Sequence, residues 1–265
     1  MIGDQKKLFI ITKTGEIIQR DHEMIKMNVK ISPILALLVV LGAAGMAEGA
    51  ATLRVCDCRA CGCQYLSIQE AIDIATPGDT VLVRSGSFIG NINVTKPITL
   101  RGERWKGLGL PIINADGNGS CITVSADGVR VESIRVTDSG NESVDAGIRV
   151  LSNNVTIVNN IASGNRGAGI ILEGSSNSTV LANVVSENAV GVFLYNSADN
   201  LLTNNRLFNN TVLDAFDDGK NRWDDGTVGN YYGSFNCTDE DGDEICDSVY
   251  EIPGGSSIDA QTIVG

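Results

Sequence analysis

Three stretches of this sequence concentrate side chains that could do chemistry. In "CDCRACGC", Cys56, Cys58, Cys61 and Cys63 follow C-x-C-x-x-C-x-C spacing. As thiolates, four such sulfurs can converge on zinc, copper(I) or an iron–sulfur cluster. In an oxidising compartment the same four pair as two disulfides, with three connectivities open. In "DEDGDEICD", Asp239, Asp241, Asp243 and Asp247 take positions 1, 3, 5 and 9 of an acidic loop, with the Ile245 carbonyl at 7. A looping backbone with that spacing brings hard oxygens around Ca²⁺. Gly242 stands at position 4 rather than 6, and Glu251 falls one past position 12. The loop is therefore nearer to the Asp-rich loops of thrombospondin-type calcium repeats than to an EF-hand; without an ion it is a solvated acidic turn. Cys237 and Cys246 flank it, and a disulfide there would contribute about 2–3 kcal/mol and pre-shape the carboxylates.

The third stretch, "FDDGKNRWDDG", offers Asp217, Asp218, Asp224 and Asp225 beside Lys220, Arg222 and Trp223. Two carboxylates flanking a glycosidic bond are the minimum for hydrolysis, and a lyase would want Ca²⁺ with a basic Arg or Lys. The only histidine is His22 and the last methionine is Met46. Beyond residue 51, imidazole catalysis is thus excluded, and copper or zinc must rely on Cys and carboxylates. Among aromatics, Trp105, Phe193, Trp223, Tyr231 and Tyr232 could stack on sugar rings. Packing beneath turns or an end cap is the competing role, above all for Trp223, Tyr231 and Tyr232. N-x-[ST] sequons occur at Asn93, Asn118, Asn141, Asn154, Asn177, Asn209 and Asn236, as in a glycosylated surface protein, although Asn-rich turns also generate them by chance.

The compartment decides among these chemistries. "MNVKISPILALLVVLGAAGMAEGA", residues 27–50, has the basic start, short apolar run and small-residue end of a secretory signal. The 26 residues ahead of it are a leader of doubtful status. Either translation starts at Met24 or Met27, or the leader stays inside as the basic side of a signal anchor. Both readings export the chain from residue 51, so oxidised cysteines are expected there. Of 20 Lys and Arg, six precede residue 51, and of 32 Asp and Glu, five do, leaving 14 against 27. That acidity argues against nucleic acid and anionic membrane as partners; membrane contact would come only through an uncleaved N-terminal segment.

What must position these side chains is a repeat. "AGIRVLSNNVTIVNNIASGN", "AGIILEGSSNSTVLANVVSEN" and "VGVFLYNSADNLLTNNRLFNN" are copies of one unit, with Gly147, Gly169 and Gly191 spaced 22 apart. Asn160, Asn183 and Asn205 recur at steps of 23 and 22, as do Asn165, Asn188 and Asn210. Alternation within a copy, as in Ile148-Arg149-Val150, is the period of a strand with one buried face. Short strands parted by Gly, Asn and Ser turns on this period predict an all-β parallel β-helix, each copy one turn of the solenoid. Stacked Asn160, Asn183 and Asn205 would then satisfy one another along the axis. Arg149, Ile171 and Phe193 should share an outer face. "CITVSADGVRVESIRVTDSGN" fits at a step of 26, the extra residues falling around "GNESVD". It places Cys121 at the Gly147 position, as a buried unpaired thiol. Upstream, Ser67 as N-cap with Glu70 at the capping-box position starts a short helix whose face is Ile68, Ala71 and Ile72, a cover for the first open rung.

"SIQEAIDIATPGDTVLVRSGSF", "NINVTKPITLRG", the Asn-rich copies and the ending "GNYYGSF...TDEDGDEICDSVYEIPGGSSIDA" together resemble the NosD-type, CASH-domain right-handed β-helix proteins, common among exported proteins of methanogenic archaea, over about residues 52–262. The resemblance implies a pectin-lyase-like fold. Founding members assist copper-site maturation, and many others are surface proteins thought to bind or process sugars. Relatives that hydrolyse pectin or epimerise alginate use His-containing motifs absent here, and "NRWDDG" matches the family's closing segment, which implies a structural cap.

The expectation is an exported surface module in five parts: leader 1–26, signal or anchor 27–50, Cys-rich segment 51–65, β-helix 66–213 and C-terminal cap 214–265. It binds a polysaccharide or cell-surface glycan without catalysis, with structural Ca²⁺ and disulfides at its end. Copper handling through the four clustered cysteines, and a polysaccharide lyase or hydrolase built on residues 214–225, are the alternatives.

Overall fold

The computed structural model describes residues 9–11, 17–20, 24–27 and 49–265. Strands Phe9–Ile11, Ile17–Arg20 and Met24–Met27 form a small antiparallel sheet within one compact unit, Met1–Gly49; the second unit is Ala50–Gly265. Most of the signal-like segment, residues 28–48, lies outside the described residues. Among the described residues, no helix is long and apolar enough to cross a membrane.

The second unit is a parallel β-solenoid of about seven turns. Each turn visits three sheets in order. Sheet I stacks six strands from Ile92–Val94 to Leu213–Asp217. Sheet II stacks eight, from Thr52–Val55 to Lys220–Arg222. Sheet III stacks seven, from Ser87–Ile89 to Tyr231–Tyr232. The register follows the sequence repeat: Ile148 pairs with Ile170 and Ile170 with Val192, while Ile157 pairs with Val180 and Val180 with Leu202. The step-of-26 copy also fits, with Ile122 opposite Ile148 and Val131 opposite Ile157. The coil runs beyond both ends of the 66–213 span. Thr52–Val55 already pairs in parallel with Thr80–Arg84, and Leu213–Asp217, Lys220–Arg222 and Tyr231–Tyr232 add the last rungs. The cap proper begins after Tyr232 and contains the antiparallel pair Tyr250–Glu251 with Ile258–Asp259.

Inward residues such as Val81, Leu100, Ile122, Ile148, Ile170, Val192 and Leu202 fill one continuous core. Helix Ile68–Ile74 closes its first end: the Ser67 hydroxyl accepts the Glu70 N–H at 3.2 Å, and Ile68, Ala71 and Ile72 are buried in the same core. The recurring glycines have a steric cause, since a Cβ on Gly169 would lie 2.4 Å from Val185 Cγ1.

Three side-chain ladders run along the solenoid axis. In the first, Asn160 Nδ2 donates to Asn183 Oδ1 (3.1 Å), Asn183 Nδ2 to Asn205 Oδ1 (2.9 Å), and Asn205 Nδ2 to Asn230 Oδ1 (2.8 Å). The second links Asn165, Asn188 and Asn210, and the third links Asn200 to Asn221. At each step the backbone N–H of the upper Asn shares the same acceptor oxygen. Every ladder ends on a carboxylate: Asp259 accepts from Asn230 (3.0 Å), Asp214 from Asn210 (2.9 Å) and Asp217 from Asn221 (2.8 Å).

Candidate functional site

Among the described residues, the outer face of sheet I carries a cluster of apolar and aromatic side chains separate from the main core. Arg149, Ile171, Phe193 and Phe216 occupy successive rungs in register. Phe193 and Phe216 stack with ring centroids 4.7 Å apart and planes 13° from parallel. Ala146, Ala168 and Ile171 form a second, outward cluster, with Val190 and Phe193 packed against it. Beside this row Glu173 and Tyr195 are paired across adjacent strands. Arg149 Nη2 donates to Glu173 Oε2 at 2.6 Å, while Tyr195 is 47% exposed. The longer turn of the 26-residue step supplies a wall. Glu142 N–H donates to Asp145 Oδ2 (3.0 Å), folding the turn so that Ser143 and Val144 border the face. Together Ser143, Val144, Ile171, Glu173, Phe193 and Tyr195 line an open hollow of about 250 Å³. Tyr195 and the Val144 wall were not singled out from the sequence; the period of 22 that aligns Phe193 also aligns Glu173 with Tyr195.

Trp105 does not line this hollow. It follows sheet II and lies under the Arg84 guanidinium, 3.6 Å from the ring centroid. Trp223 and Tyr232 are 1% exposed and belong to the core, and Tyr231 packs beneath Arg206 at 4.5 Å.

The four carboxylates of the third stretch are occupied with backbone and ladder groups. Asp217 is fully buried and accepts from Gly219 N (2.8 Å), Asn221 Nδ2 (2.8 Å) and Trp223 Nε1 (2.9 Å). Asp218 accepts from Asn196 N, and Asp224 from Gly226 N and Ala260 N. Asp225 is held below the usual carboxylate range by the Thr227 hydroxyl and the Val228 and Thr227 N–H groups. Only Asp224 of the four borders the adjacent hollow of about 280 Å³, which Lys220, Arg222 and Ser256–Ile258 complete.

The clustered cysteines are paired as Cys56–Cys63 and Cys58–Cys61, and Cys237 is joined to Cys246. A copper or zinc thiolate site at Cys56, Cys58, Cys61 and Cys63 would therefore need their reduced form. Cys121 is free and buried, its thiol pushed up to about 11 by desolvation. In the acidic loop, carboxylate oxygens of Asp239, Asp241 and Asp243 lie within 4.8 Å of one another. Asp239 already accepts from Gly242, Asp243 and Glu244 N–H, and Asp247 from Glu240 N–H. Asp241 is raised above its ordinary value, first by the charge of Asp243. Sequon residues Asn154, Asn177 and Asn209 adopt φ of 56°, 53° and 55°, left-handed turn positions that Asn favours with or without a glycan.

Residues 99–235, more than half of the chain, match the family model described as "right handed beta helix region". The chain belongs to the right-handed β-helix family. No curated protein matches this β-helix by sequence. Two solved structures similar to it are a pectin methylesterase mutant in complex with a hexasaccharide and an alginate lyase from Paenibacillus sp.. The first is 13% identical with a TM-score of 0.36, over 68% of this chain and 59% of the esterase. The second is 14% identical with a TM-score of 0.38, over 69% of this chain and 76% of the lyase. The β-helix thus spans less than two thirds of the esterase's length.

Proposed function

We propose that this β-helix is an exported, non-catalytic module that binds a glycan along the outer face of sheet I. The observation that carries the reading is the stacked Phe193–Phe216 row beside exposed Tyr195, with the Arg149–Glu173 pair at its edge. Phe193 and Phe216 use their facing rings on each other, so the row offers apolar ring edges beside the exposed Tyr195 to the C–H faces of a sugar, and a few placed polar groups fix its orientation. The rungs repeat at about 4.8 Å along the axis, so the row presents regularly spaced contacts to an extended chain. Binding without chemistry is supported by Asp217, Asp218, Asp224 and Asp225, each of which has at least one carboxylate oxygen engaged by a turn or a ladder end. Export is supported by the signal-like residues 27–50 and by three disulfides.

Structural Ca²⁺ belongs to the same proposal. The close carboxylates of Asp239, Asp241 and Asp243, with Asp247 and the Ile245 carbonyl on the same loop, form an all-oxygen donor set suited to a hard cation. The ion would offset part of the loop's negative charge and brace the cap without entering the binding face.

Affinity electrophoresis through gels containing individual polysaccharides tests the reading. At least one polysaccharide should retard the wild-type protein, with retardation lost in Phe193→Ala and Tyr195→Ala and retained in Trp105→Ala. Retardation by none, or retardation unchanged in both sheet I variants, would overturn it. Release of sugar ends by the wild type, lost in Asp224→Ala, would move the protein to the enzymes.

A further inference from the structure

The disulfides at the two ends of the coil sit in opposite electrostatic surroundings. At the N-terminal end, Cys58–Cys61 is nested inside Cys56–Cys63 around the single turn Arg59–Cys61. Arg84 reaches this turn from sheet II. Its Nη1 donates to the Cys61 carbonyl at 3.1 Å and approaches Cys63 Sγ at 3.7 Å, while its Nε is paired with Glu103 at 3.2 Å. Trp105 covers the guanidinium, which leaves the Arg84 side chain 13% exposed. Arg59 stands exposed on the turn itself. Asp57, the one acidic residue of the segment, places an oxygen within 4.8 Å of Cys58 and Cys61 sulfurs, within reach of one bridging water. Cys237–Cys246 instead encloses Asp239, Glu240, Asp241, Asp243 and Glu244 with no basic residue among them.

Exposure separates the two N-terminal bridges rather than the two ends, since Cys237 is half-buried and Cys246 buried, as Cys63 and Cys56 are. Cys58, Cys61 and Cys63 are half-buried, whereas Cys56 is 1% exposed. Disulfide exchange needs an attacking thiolate, access to a sulfur and a leaving thiol whose anion is stabilised. Cys58–Cys61 offers access. Cys63 offers the stabilised leaving group, but its expulsion requires attack on Cys56, which an external thiol does not reach; attack on half-buried Cys63 would instead expel Cys56, a buried sulfur that Arg84 does not contact.

We propose that Cys58–Cys61 is a thiol–disulfide exchange site for dithiol substrates, and that Cys56–Cys63 is a second electron acceptor opened only through it. A thiolate of the external dithiol attacks one sulfur of Cys58–Cys61 and expels the other as a thiolate. The second thiol of the substrate then resolves the mixed disulfide. The substrate leaves as a disulfide, and its two electrons and two protons remain on Cys58 and Cys61, with Asp57 passing a proton through water. The Cys58 thiolate next attacks Cys56 Sγ and expels Cys63, whose thiolate Arg84 stabilises. Cys61 attacks Cys58 Sγ and expels Cys56, so Cys58–Cys61 reforms and Cys56 and Cys63 hold the two electrons. A second dithiol can then be oxidised.

The test is timed reduction of the oxidised full chain with limiting dithiothreitol, acid quench, alkylation and mass assignment of each cysteine. Cys58–Cys61 should open first, Cys56–Cys63 second and Cys237–Cys246 last, with about tenfold or more between first and last because the acidic loop repels the attacking thiolate and raises its leaving group. In the Cys58→Ser/Cys61→Ser variant, Cys56–Cys63 should stay closed over the same exposure. Arg84→Gln should slow the second opening several-fold and leave the first unmoved, with far-ultraviolet dichroism as the check of fold, since Trp105 lies against Arg84. With oxidised glutathione present, the wild type should accelerate oxidation of a dithiol peptide and the double variant should not. Cys237–Cys246 opening as fast as Cys58–Cys61, an unchanged Cys56–Cys63 rate in the double variant, or no acceleration by the wild type would each overturn the proposal.

Discussion

Replacing Asn183 with alanine removes the middle of the first ladder. Its side chain is 1% exposed. Oδ1 accepts from Asn160 N (2.9 Å) and Asn160 Nδ2 (3.1 Å), and Nδ2 donates to the Ile157 and Leu181 carbonyls (2.9 and 3.0 Å) and to Asn205 Oδ1 (2.9 Å). Alanine leaves the Asn160 backbone N–H and one N–H of its amide without an acceptor, deep in the coil. Each orphaned buried donor costs about 1–3 kcal/mol, and a water in the vacated space would recover part of it. The expected loss is therefore about 3–5 kcal/mol, a large fraction of a typical domain's total stability of about 5–15 kcal/mol. Urea unfolding followed by tryptophan fluorescence and far-ultraviolet dichroism reads it, with coincident transitions as the check on cooperativity. Exposed Asn93→Ala is the control and should stay within about 0.5 kcal/mol. Asn183→Asp should cost at least as much as alanine, since it sets a buried charge against the Asn205 acceptor oxygen. A loss below about 1 kcal/mol for Asn183→Ala would refute the idea that the ladder, rather than the apolar core alone, holds the rungs.

Asp217→Ala should free the Trp223 indole N–H and the Asn221 amide, cost about 3 kcal/mol and red-shift Trp223 emission; an unshifted spectrum would contradict its role as a ladder end. Burial raises Asp259 to about 6, so the folded chain holds that proton more tightly than the unfolded one. Its contribution to stability is greatest below about pH 4 and is lost as pH rises from 4 to 6, about 3 kcal/mol in all; Asp259→Asn should flatten that part of a stability–pH curve relative to wild type. Adding Ca²⁺ to chelator-treated protein should raise the melting temperature by a few degrees, an effect that Asp241→Asn with Asp243→Asn should abolish while Mg²⁺ fails to reproduce it.

The sequence carried the coil because both its apolar and its Asn positions are periodic. Ile148, Ile170 and Val192 could be set opposite one another by counting, and so could Asn160, Asn183 and Asn205. The third ladder was harder to see, because Asn200 and Asn221 give a single step and the rung above offers Ser178 in place of an Asn. The ends were hardest. Asp214 is four residues after Asn210, Asp217 four before Asn221, and Asp259 29 after Asn230, so no common period marks them. Asp217 in particular looked like a member of a reactive carboxylate set because Asp218, Asp224 and Asp225 are its sequence neighbours. Its burial, which decides its role, depends on the Trp223 and Asn221 side chains arriving from the next strand. The binding face was half legible: the period aligned Arg149, Ile171 and Phe193, but the Ser143–Val144 wall comes from extra residues that the 22-residue copies lack.

The choice of aspartate at all three ends follows from the direction of the ladders. Each Asn receives two N–H groups on Oδ1 from the rung above and passes its own amide N–H to the rung below, so every chain of hydrogen bonds points the same way. An asparagine placed last would accept in the same fashion but would present a donor with no further rung to receive it. A carboxylate only accepts, so it ends the series without leaving a buried donor, and its charge strengthens the last hydrogen bond. For Asp259 the four converging donors, from Asn230 N, Asn230 Nδ2, Tyr232 Oη and Gln261 N, offset part of the cost of burying the charge. Because Asp259 lies on the cap hairpin and Asp214 receives Ser234 N–H and hydroxyl, two of the ladders continue into the cap rather than stopping at it. The cap is thereby tied to the coil through polar groups that an additional rung, or a second copy stacked end to end, would leave unpaired.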